Sequence, residues 1–186
     1  MKRLFDILLS FLFLIIFSIP YFIIAIFIKV TDPGPIIHWS KRIGQFNKLF
    51  SMPKFRTMKM QTPQVATHLL ENPAQYVTSI GKFLRKTSLD ELPQLYSILI
   101  GDMSFVGPRP ALFNQDDLIE LRTKRGIHLL KPGLTGWAQI NGRDEISIAQ
   151  KVDFDFEYTK KQSFIFDLQI LVITFLKSLS SSNITH

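Results

Sequence analysis

Two acidic residues stand side by side in the segment TSLDELPQL, Thr87 to Leu95 of a chain of 186 residues. Neighbouring residues in a helix point about a third of a turn apart, so Asp90 and Glu91 would not share one task. A carboxylate can attack phosphorus, and a second one can hold Mg²⁺ together with substrate phosphates. The pair therefore predicts phosphoryl transfer, with Asp90 as nucleophile and Glu91 as metal ligand, or with these roles exchanged.

A purely structural explanation covers the same acids. Ser88 and Glu91 have the spacing of a capping box, which contributes about 1 kcal/mol to a helix start. An acid in the first turn also interacts favourably with the helix dipole, which accounts for Asp90. On these local grounds alone the structural explanation is the stronger one.

Basic residues around the pair shift the balance towards catalysis. Arg85 and Lys86 precede the acids, and Arg109 follows them between two prolines in GDMSFVGPRP. Prolines on both sides restrict the direction of the Arg109 side chain. A phosphate that a carboxylate attacks must be neutralised by such cations or by a metal ion. We therefore predict a phosphate-binding site around Asp90 and Glu91.

The remaining composition excludes several other chemistries. The chain has no cysteine, which removes disulfides, thiolate metal sites and thiol nucleophiles. Its four histidines show no metal-ligand spacing and no obvious serine partner, so neither a zinc site nor a Ser-His-Asp hydrolase is predicted. The glycine-rich patterns of Rossmann and P-loop nucleotide sites do not occur. Side chains must therefore hold the phosphates.

The excess of basic residues indicates anionic partners. Lys and Arg number 22 against 15 Asp and Glu, a formal net charge of +7. Phospholipid headgroups, nucleotide phosphates and nucleic acid all suit this charge. Nucleic acid suits it least, because the aromatic residues are concentrated in apolar segments instead of alternating with basic ones.

The N-terminal segment sets the position of the site relative to a membrane. Residues 7–28 carry no charge, and at 1.5 Å per residue they form about 33 Å of helix, enough to cross a bilayer. Basic residues flank both ends, which favours the cytoplasmic side for both. A helix that bends near Pro20 could enter one leaflet and return, with Ser18 satisfying a freed carbonyl. A straight span with a harmless proline fits the segment equally well.

Three segments in the second half of the chain predict further secondary-structure elements. RPALFNQDDLIELRTKRG predicts a helix from Leu112 to Arg125, ended by Gly126. SFIFDLQILVITFLKSL predicts a helix on the membrane surface, with a core helix nearly as favoured. Turn signals in KPGLTGWAQINGR predict a short β element at residues 137–140, with Arg143 just past the second turn.

These elements predict an α+β fold that is predominantly helical. Residues 1–30 would form a re-entrant membrane helix, and residues 31–186 would form a cytoplasmic catalytic domain. Amphipathic helices at the membrane interface and the small β element complete this fold.

Four motifs in fixed order resemble those of the bacterial monotopic phosphoglycosyl transferases: KFRTM, TSLDELPQL, GDMSFVGPRP and PGLTGWAQINGR. The resemblance extends from Lys2 to about Lys177. It implies transfer of a sugar 1-phosphate from a UDP-sugar to undecaprenyl phosphate, with release of UMP, at the start of polysaccharide, O-antigen or glycoprotein glycan assembly. It also implies Mg²⁺ as cofactor, contacts with membrane lipids and a place on the cytoplasmic face of the bacterial inner membrane. The sugar, the pathway and a homo-oligomeric state are left open.

The resemblance also implies roles for single residues. Asp90 matches the nucleophile that forms a covalent phosphosugar, and Glu91 matches the Mg²⁺-associated acid. Five basic residues match positions that hold phosphates or brace the site: Lys54, Arg56, Arg85, Arg109 and Arg143. For Lys54 and Arg56 a solvated or headgroup-facing patch is the alternative. Three residues match positions of structural support: Asp155, Tyr158 and Asp167.

Two segments depart from the family pattern. The membrane bend usually has Ser-Pro, whereas here Ile19 precedes Pro20 and Ser18 stands one place earlier. HWSKRIG stands where the family has F-x-Q-x-R-x-G, so His38 and Ser40 replace the aromatic residue and the glutamine. A membrane-anchored binding or scaffolding protein without catalysis is the alternative function that the anchor and the basic charge permit.

Overall fold

The computed structural model describes residues 1–62, 72–142 and 146–179, and Arg143 therefore lies outside the described residues. The helices are α1 (Lys2–Ile16), α2 (Ser18–Thr31), α3 (Pro73–Tyr76), α4 (Ser79–Thr87), α5 (Gln94–Ile100), α6 (Asp116–Lys124), α7 (Trp137–Ile140), α8 (Ile148–Lys161) and α9 (Phe164–Leu179). The strands are β1 (Ile37–Ile43), β2 (Leu49–Phe55), β3 (Ser104–Val106), β4 (Ala111–Leu112) and β5 (Gly133–Thr135). Helices dominate and the strands are short, so the predicted fold class is confirmed.

Two small sheets organise the strands. The first has the order β2-β1-β4 and is antiparallel, with His38 opposite Lys54 and Arg42 opposite Leu112. The second is a parallel pair of β3 and β5. The chain leaves β3 and reaches β4 within a few residues, so the segment that carries Arg109 connects the two sheets.

The N-terminal segment bends where α1 meets α2. Within the described residues no single helix is long and apolar enough to cross a membrane, whereas α1 and α2 together are, with an angle of 60° between them. The break falls at Phe17, and Pro20 lies in the first turn of α2, where a missing N–H is tolerated. Ser18 Oγ donates a hydrogen bond to the Ile15 carbonyl at 2.7 Å. The bend and the bond from Ser18 match the expectation, and entry into a membrane stays a prediction.

Side chains in the first turn of α1 join the rest of the fold. Lys2 Nζ pairs with Asp167 Oδ2 of α9 at 2.5 Å and donates to the Val106 carbonyl at 2.9 Å. Tyr158 of α8 donates its hydroxyl hydrogen to Asp167 Oδ1 at 2.6 Å. Lys2, Tyr158 and Asp167, called the closed cluster below, thereby hold three helices together.

Two more polar residues of α1 satisfy backbone groups elsewhere. Arg3 donates to the carbonyls of Ile98 and Leu99 at 2.6 and 2.7 Å, at the end of α5 where helix carbonyls lack partners. Asp6 Oδ1, fully covered, accepts a hydrogen bond from the Phe105 amide at 3.1 Å. The first turn of α1 is thus an integral part of the globular fold.

Large apolar side chains remain exposed on α1, α2 and α9. On α9, Asp167 and Ile170 face the core, while Ile165, Val172 and Phe175 are 69%, 58% and 63% exposed. Clusters of exposed apolar side chains on a helix are typical of a binding face for lipid or protein. The predicted helix is present with apolar side chains on its exposed side, and its contact with a membrane stays a prediction.

Two element predictions were wrong in part. Residues 137–140 form helix α7 instead of a β element, because Asn141 Nδ2 donates to the Trp137 carbonyl at 2.8 Å and caps that helix turn. The helix predicted from Leu112 begins only at Asp116, since Leu112 belongs to β4 and its amide bonds to Gln115 Oε1 at 2.8 Å. Its predicted end is confirmed, with Gly126 in the left-handed region at φ 72°.

Candidate active site

Asp90 and Glu91 lie on a short 3₁₀ turn, Leu89–Glu91, between α4 and α5. Ser88 adopts the left-handed region at φ 56° and ends α4, whereas an N-cap residue adopts the extended region. The Ser88 side chain makes no capping hydrogen bond. The capping box is therefore wrong as an explanation of Glu91, because the serine ends one helix instead of starting the next.

Glu91 is bound by two cations instead. Its Oε1 lies 2.7 Å from Lys54 Nζ and 3.0 Å from an Arg109 guanidinium nitrogen. Lys54 also faces Asp90 Oδ2 at 3.9 Å. The four residues Lys54, Asp90, Glu91 and Arg109, called the acidic-pair cluster below, are mostly covered, with side-chain exposures between 12% and 30%. The structure thus brings together four of the residues predicted for the site.

The fold fixes Arg109 through its backbone. Its carbonyl accepts a hydrogen bond from Arg122 at 2.8 Å, and Arg122 is held in turn by Asp155 Oδ2 at 2.6 Å. Asp155 is buried, so this ion pair is shielded from water. Just before Arg109, a Cβ on Gly107 would come 2.4 Å from the Lys131 carbonyl, so the chain packs there without room for a side chain. Asp155 thus supports, through Arg122, the segment that carries Arg109, which is the kind of structural role that the resemblance implied.

The two acids differ in their electrostatic surroundings. Burial acts to raise the pKa of Glu91, but Arg109 and Lys54 outweigh it and hold that pKa well below the ordinary value. The pKa of Asp90 is raised by burial, which Lys54 opposes and the Glu91 charge reinforces. A carboxylate of higher pKa is the better nucleophile when ionised, and one held in two short ion pairs is the less available. Asp90 is thus the acid with the raised pKa and the longer ion pair.

Two residues of β1 that border the acidic-pair cluster, His38 and Arg42, were not predicted as site residues. His38, Ser40 and Arg42 alternate along the strand and so share one face, and His38 pairs with Lys54 across the sheet. Arg42 donates to the Pro110 carbonyl at 3.3 Å. Burial and the nearby Arg109 lower its pKa to about 10, with Glu91 opposing. The alternating pattern of HWSKRIG, together with the arginine of the family pattern, is the signal that could have identified Arg42.

The remaining predicted cations differ in position. Arg85 Nε donates to Thr57 Oγ1 at 2.9 Å; burial lowers the Arg85 pKa, and the charge of Asp90 nearby opposes that shift. Arg56 is buried and pairs with Asp32 Oδ2 at 3.6 Å, at the turn that follows α2. A Cβ on Gly34 would meet the Arg56 guanidinium, so the turn fits closely around it. Arg85 therefore borders the acidic pair, and Arg56 braces the end of the N-terminal helices.

The acidic pair has ligand atoms that suit Mg²⁺. In the described part of the chain no group of three or more His, Asp or Glu residues could hold a metal ion. Mg²⁺ needs only one or two protein carboxylates when substrate phosphates and water complete its octahedral shell. Both short ion pairs of Glu91 use Oε1, so Oε2 is left for another ligand by these two contacts. Glu91, with Asp90 beside it, fits the ion.

Comparison with known proteins supplies the class. The sequence model of the family described as bacterial sugar transferase matches residues 1–181, and the chain belongs to this family. The resemblance seen in the motifs is thereby confirmed.

Three relatives illustrate the family. The UDP-glucose:undecaprenyl-phosphate glucose-1-phosphate transferase of Escherichia coli K12 is 43% identical, over 95% of this chain and 40% of that protein. The undecaprenyl-phosphate galactose phosphotransferase of Salmonella typhimurium is 40% identical, over 94% and 39%. The exopolysaccharide production protein ExoY of Rhizobium meliloti is 38% identical, over 93% and 83%. The chain thus spans about 40% of the length of the first two relatives.

Proposed function

We propose that this protein transfers a sugar 1-phosphate from a UDP-sugar to undecaprenyl phosphate and releases UMP. The observation that carries the proposal is the acidic-pair cluster, in which Glu91 is bound by Lys54 and Arg109 while Asp90 stays more loosely paired. Two relatives, 43% and 40% identical, are named as transferases that act with undecaprenyl phosphate. Phosphoryl transfer depends mainly on positioning and charge neutralisation, which such a cluster provides.

In the first half-reaction an Asp90 carboxylate oxygen attacks the phosphorus that carries the sugar. The new bond joins this oxygen to phosphorus, and the bond from phosphorus to the bridging oxygen of the diphosphate breaks. The bridging oxygen leaves with the electron pair as part of UMP. Lys54, Arg109 and Arg42 are placed to neutralise the charge that develops on the phosphate oxygens. The product is an aspartyl phosphosugar.

In the second half-reaction a phosphate oxygen of undecaprenyl phosphate attacks the same phosphorus. The bond between phosphorus and the Asp90 oxygen breaks, and the carboxylate is restored. The lipid then carries the sugar on a diphosphate. Because donor and acceptor use one site in turn, the kinetics should be ping-pong. The exposed apolar side chains of α1, α2 and α9 support a position at a membrane surface, and we place it on the cytoplasmic face, where the acceptor would present its phosphate.

The Mg²⁺ that the resemblance implies would supply Lewis-acid neutralisation of the donor phosphates and so reduce their repulsion towards the attacking carboxylate. Glu91 would hold it, and Asp90 would remain free to attack. Lys54 and Arg109 keep Glu91 ionised, which a metal ligand requires.

The test is the intact mass of detergent-purified protein after incubation with Mg²⁺ and a panel of UDP-sugars, without a lipid acceptor. We expect a mass increase of one phosphosugar, mapped by peptide analysis to Asp90, and one UMP per protein. UMP that appears only after undecaprenyl phosphate is added would replace the covalent route with direct transfer. Neither adduct nor UMP with any donor, with or without acceptor, would favour the scaffolding alternative.

A further inference from the structure

An apolar cavity of about 400 Å³ lies inside the bend between α1 and α2. Its walls come from both helices and from the start of α5, with Leu14, Tyr21, Ala25 and Leu92 among them. Phe22, at its edge, is 67% exposed, so the cavity opens to the surroundings. Its size is within the range of ligand pockets, and its walls are almost entirely apolar. The phosphate chemistry proposed above uses none of these residues.

The walls of the cavity are linked to the segments that carry the acidic-pair cluster at two points. Leu92, on its wall, directly follows Glu91 in the chain. Tyr21, on the opposite wall, packs its ring 4.6 Å from the ring of Phe55, the residue after Lys54. The turn that carries the acids therefore leads directly into a wall of the cavity, and the strand that carries the lysine packs against another wall residue.

We propose that this cavity binds the isoprenoid units nearest to the phosphate of a polyprenyl phosphate, which rests on the function proposed above. A cationic site beside an open apolar cavity suits a ligand with an anionic head and one apolar chain. In the described residues of the cluster and its border, Lys54, Arg42 and Arg109 outnumber the two acids, so an added phosphate improves the balance of charge. A monoester phosphate at the chain end can reach the buried acids, whereas the phosphate of a phospholipid is flanked by glycerol and a second group.

The direct test is photolabelling of the unmodified protein in detergent. The probe is a polyprenyl phosphate with a diazirine on its first isoprenoid unit, and labelled peptides are identified by mass spectrometry. We expect label on Leu14, Tyr21 or Leu92, removed by excess undecaprenyl phosphate and retained with equal phosphatidylglycerol. Label outside the cavity would overturn the proposal. Equal removal by phosphatidylglycerol would also overturn it, because the cavity would then be a general lipid groove.

A cavity-filling variant gives a second, kinetic test. Ala25→Phe adds a ring inside the cavity, and the matched control Ile26→Phe adds one on the outer, exposed side of α2. Loss of the space for one or two isoprenoid units should raise KM for undecaprenyl phosphate about tenfold in Ala25→Phe and leave it unchanged in Ile26→Phe. An unchanged KM in a folded Ala25→Phe protein, or the same rise in both variants, would count against the cavity.

The two tests also separate this inference from the proposed function. UMP release does not depend on the cavity when acceptor is absent, so failure of the unmodified protein to release UMP with every donor, both without and with undecaprenyl phosphate, refutes the transferase function. Photolabelling needs no turnover and reports on the cavity in either case. Label in the cavity together with absent turnover would support the lipid site and reject the chemistry.

Discussion

The closed cluster and the acidic-pair cluster bring lysine and carboxylate together in different ways. In the closed cluster each oxygen of Asp167 has its own partner, Lys2 on Oδ2 and Tyr158 on Oδ1, and the carboxylate is 6% exposed. In the acidic-pair cluster Lys54 and Arg109 share one oxygen of Glu91, and Asp90 faces Lys54 only at 3.9 Å. Both oxygens of Asp167 are thus occupied, whereas the ion pairs of the acidic-pair cluster use only one oxygen of Glu91 and hold Asp90 at a longer distance.

This difference separates a structural role from a chemical one. A buried carboxylate with every oxygen matched lowers the energy of one arrangement of the fold and offers nothing to a ligand. A cluster with crowded cations and a loosely paired acid costs stability and gains when an anion binds. Substitutions in the two clusters should therefore change different measurements.

The largest effect is expected for Asp90→Asn, which removes the nucleophile. An amide cannot attack phosphorus, so turnover should fall about 10⁴-fold or more and the phosphosugar adduct should disappear. Thermal unfolding should change little, because the ion pair of Asp90 is long. Turnover close to that of the unmodified protein would refute the covalent mechanism.

A second large effect is expected for Glu91→Gln. The amide keeps the shape but loses the charge that pairs with Lys54 and Arg109 and that would hold Mg²⁺. We expect UMP release to fall about 10²- to 10³-fold and the Mg²⁺ concentration for half-maximal rate to rise. A Mg²⁺ titration of the single-turnover rate measures both. An unchanged Mg²⁺ dependence would remove Glu91 from the metal site.

In the closed cluster, Asp167→Asn should reduce stability instead of chemistry. Losing one partner of a covered ion pair costs about 3–5 kcal/mol when both groups are buried, and Lys2 is 31% exposed, so we expect about 2–3 kcal/mol. Denaturant unfolding in detergent gives the value. Tyr158→Phe, which removes one hydrogen bond, should cost about 1 kcal/mol. If Asp167→Asn folds but forms no phosphosugar adduct, the assignment of a structural role to the closed cluster and a chemical role to the acidic-pair cluster is contradicted.

The smallest effect is expected for Asp153→Asn on the outer surface. Asp153 pairs with Arg125, and the two side chains are 61% and 44% exposed. Solvent screens such a pair, so its loss should change the free energy of unfolding by about 0.5 kcal/mol or less and leave turnover unchanged. A loss of stability as large as that of Asp167→Asn would show that burial does not determine how much these ion pairs contribute to the free energy of unfolding.

The sequence was informative where neighbouring residues carry the signal. The apolar segment with Ser18 and Pro20 allowed a bend as well as a straight span, and the acids with Arg85 and Arg109 indicated a phosphate site, because these patterns depend on residue type and order. Lys54 was assigned only by the resemblance of its motif to the family. His38 and Arg42 were missed, since only the register of β1 against β2 reveals that they share a face with Lys54. Side-chain capping by Asn141 also could not be foreseen, because Asn-Gly is equally the signal of a hairpin turn.

The contact of Lys2 with Asp167 joins residues 165 positions apart and so constrains the order of folding. A ribosome makes α1 before α9, so Lys2 waits for its carboxylate while the residues between the two helices are synthesised. Closing so long a loop costs conformational entropy, which is offset only by the contacts of the complete closed cluster. The contact between Lys2 and Asp167 therefore forms late in folding. Both α1 and α2 are made before α9, so the closed cluster is assembled only once α9 has docked.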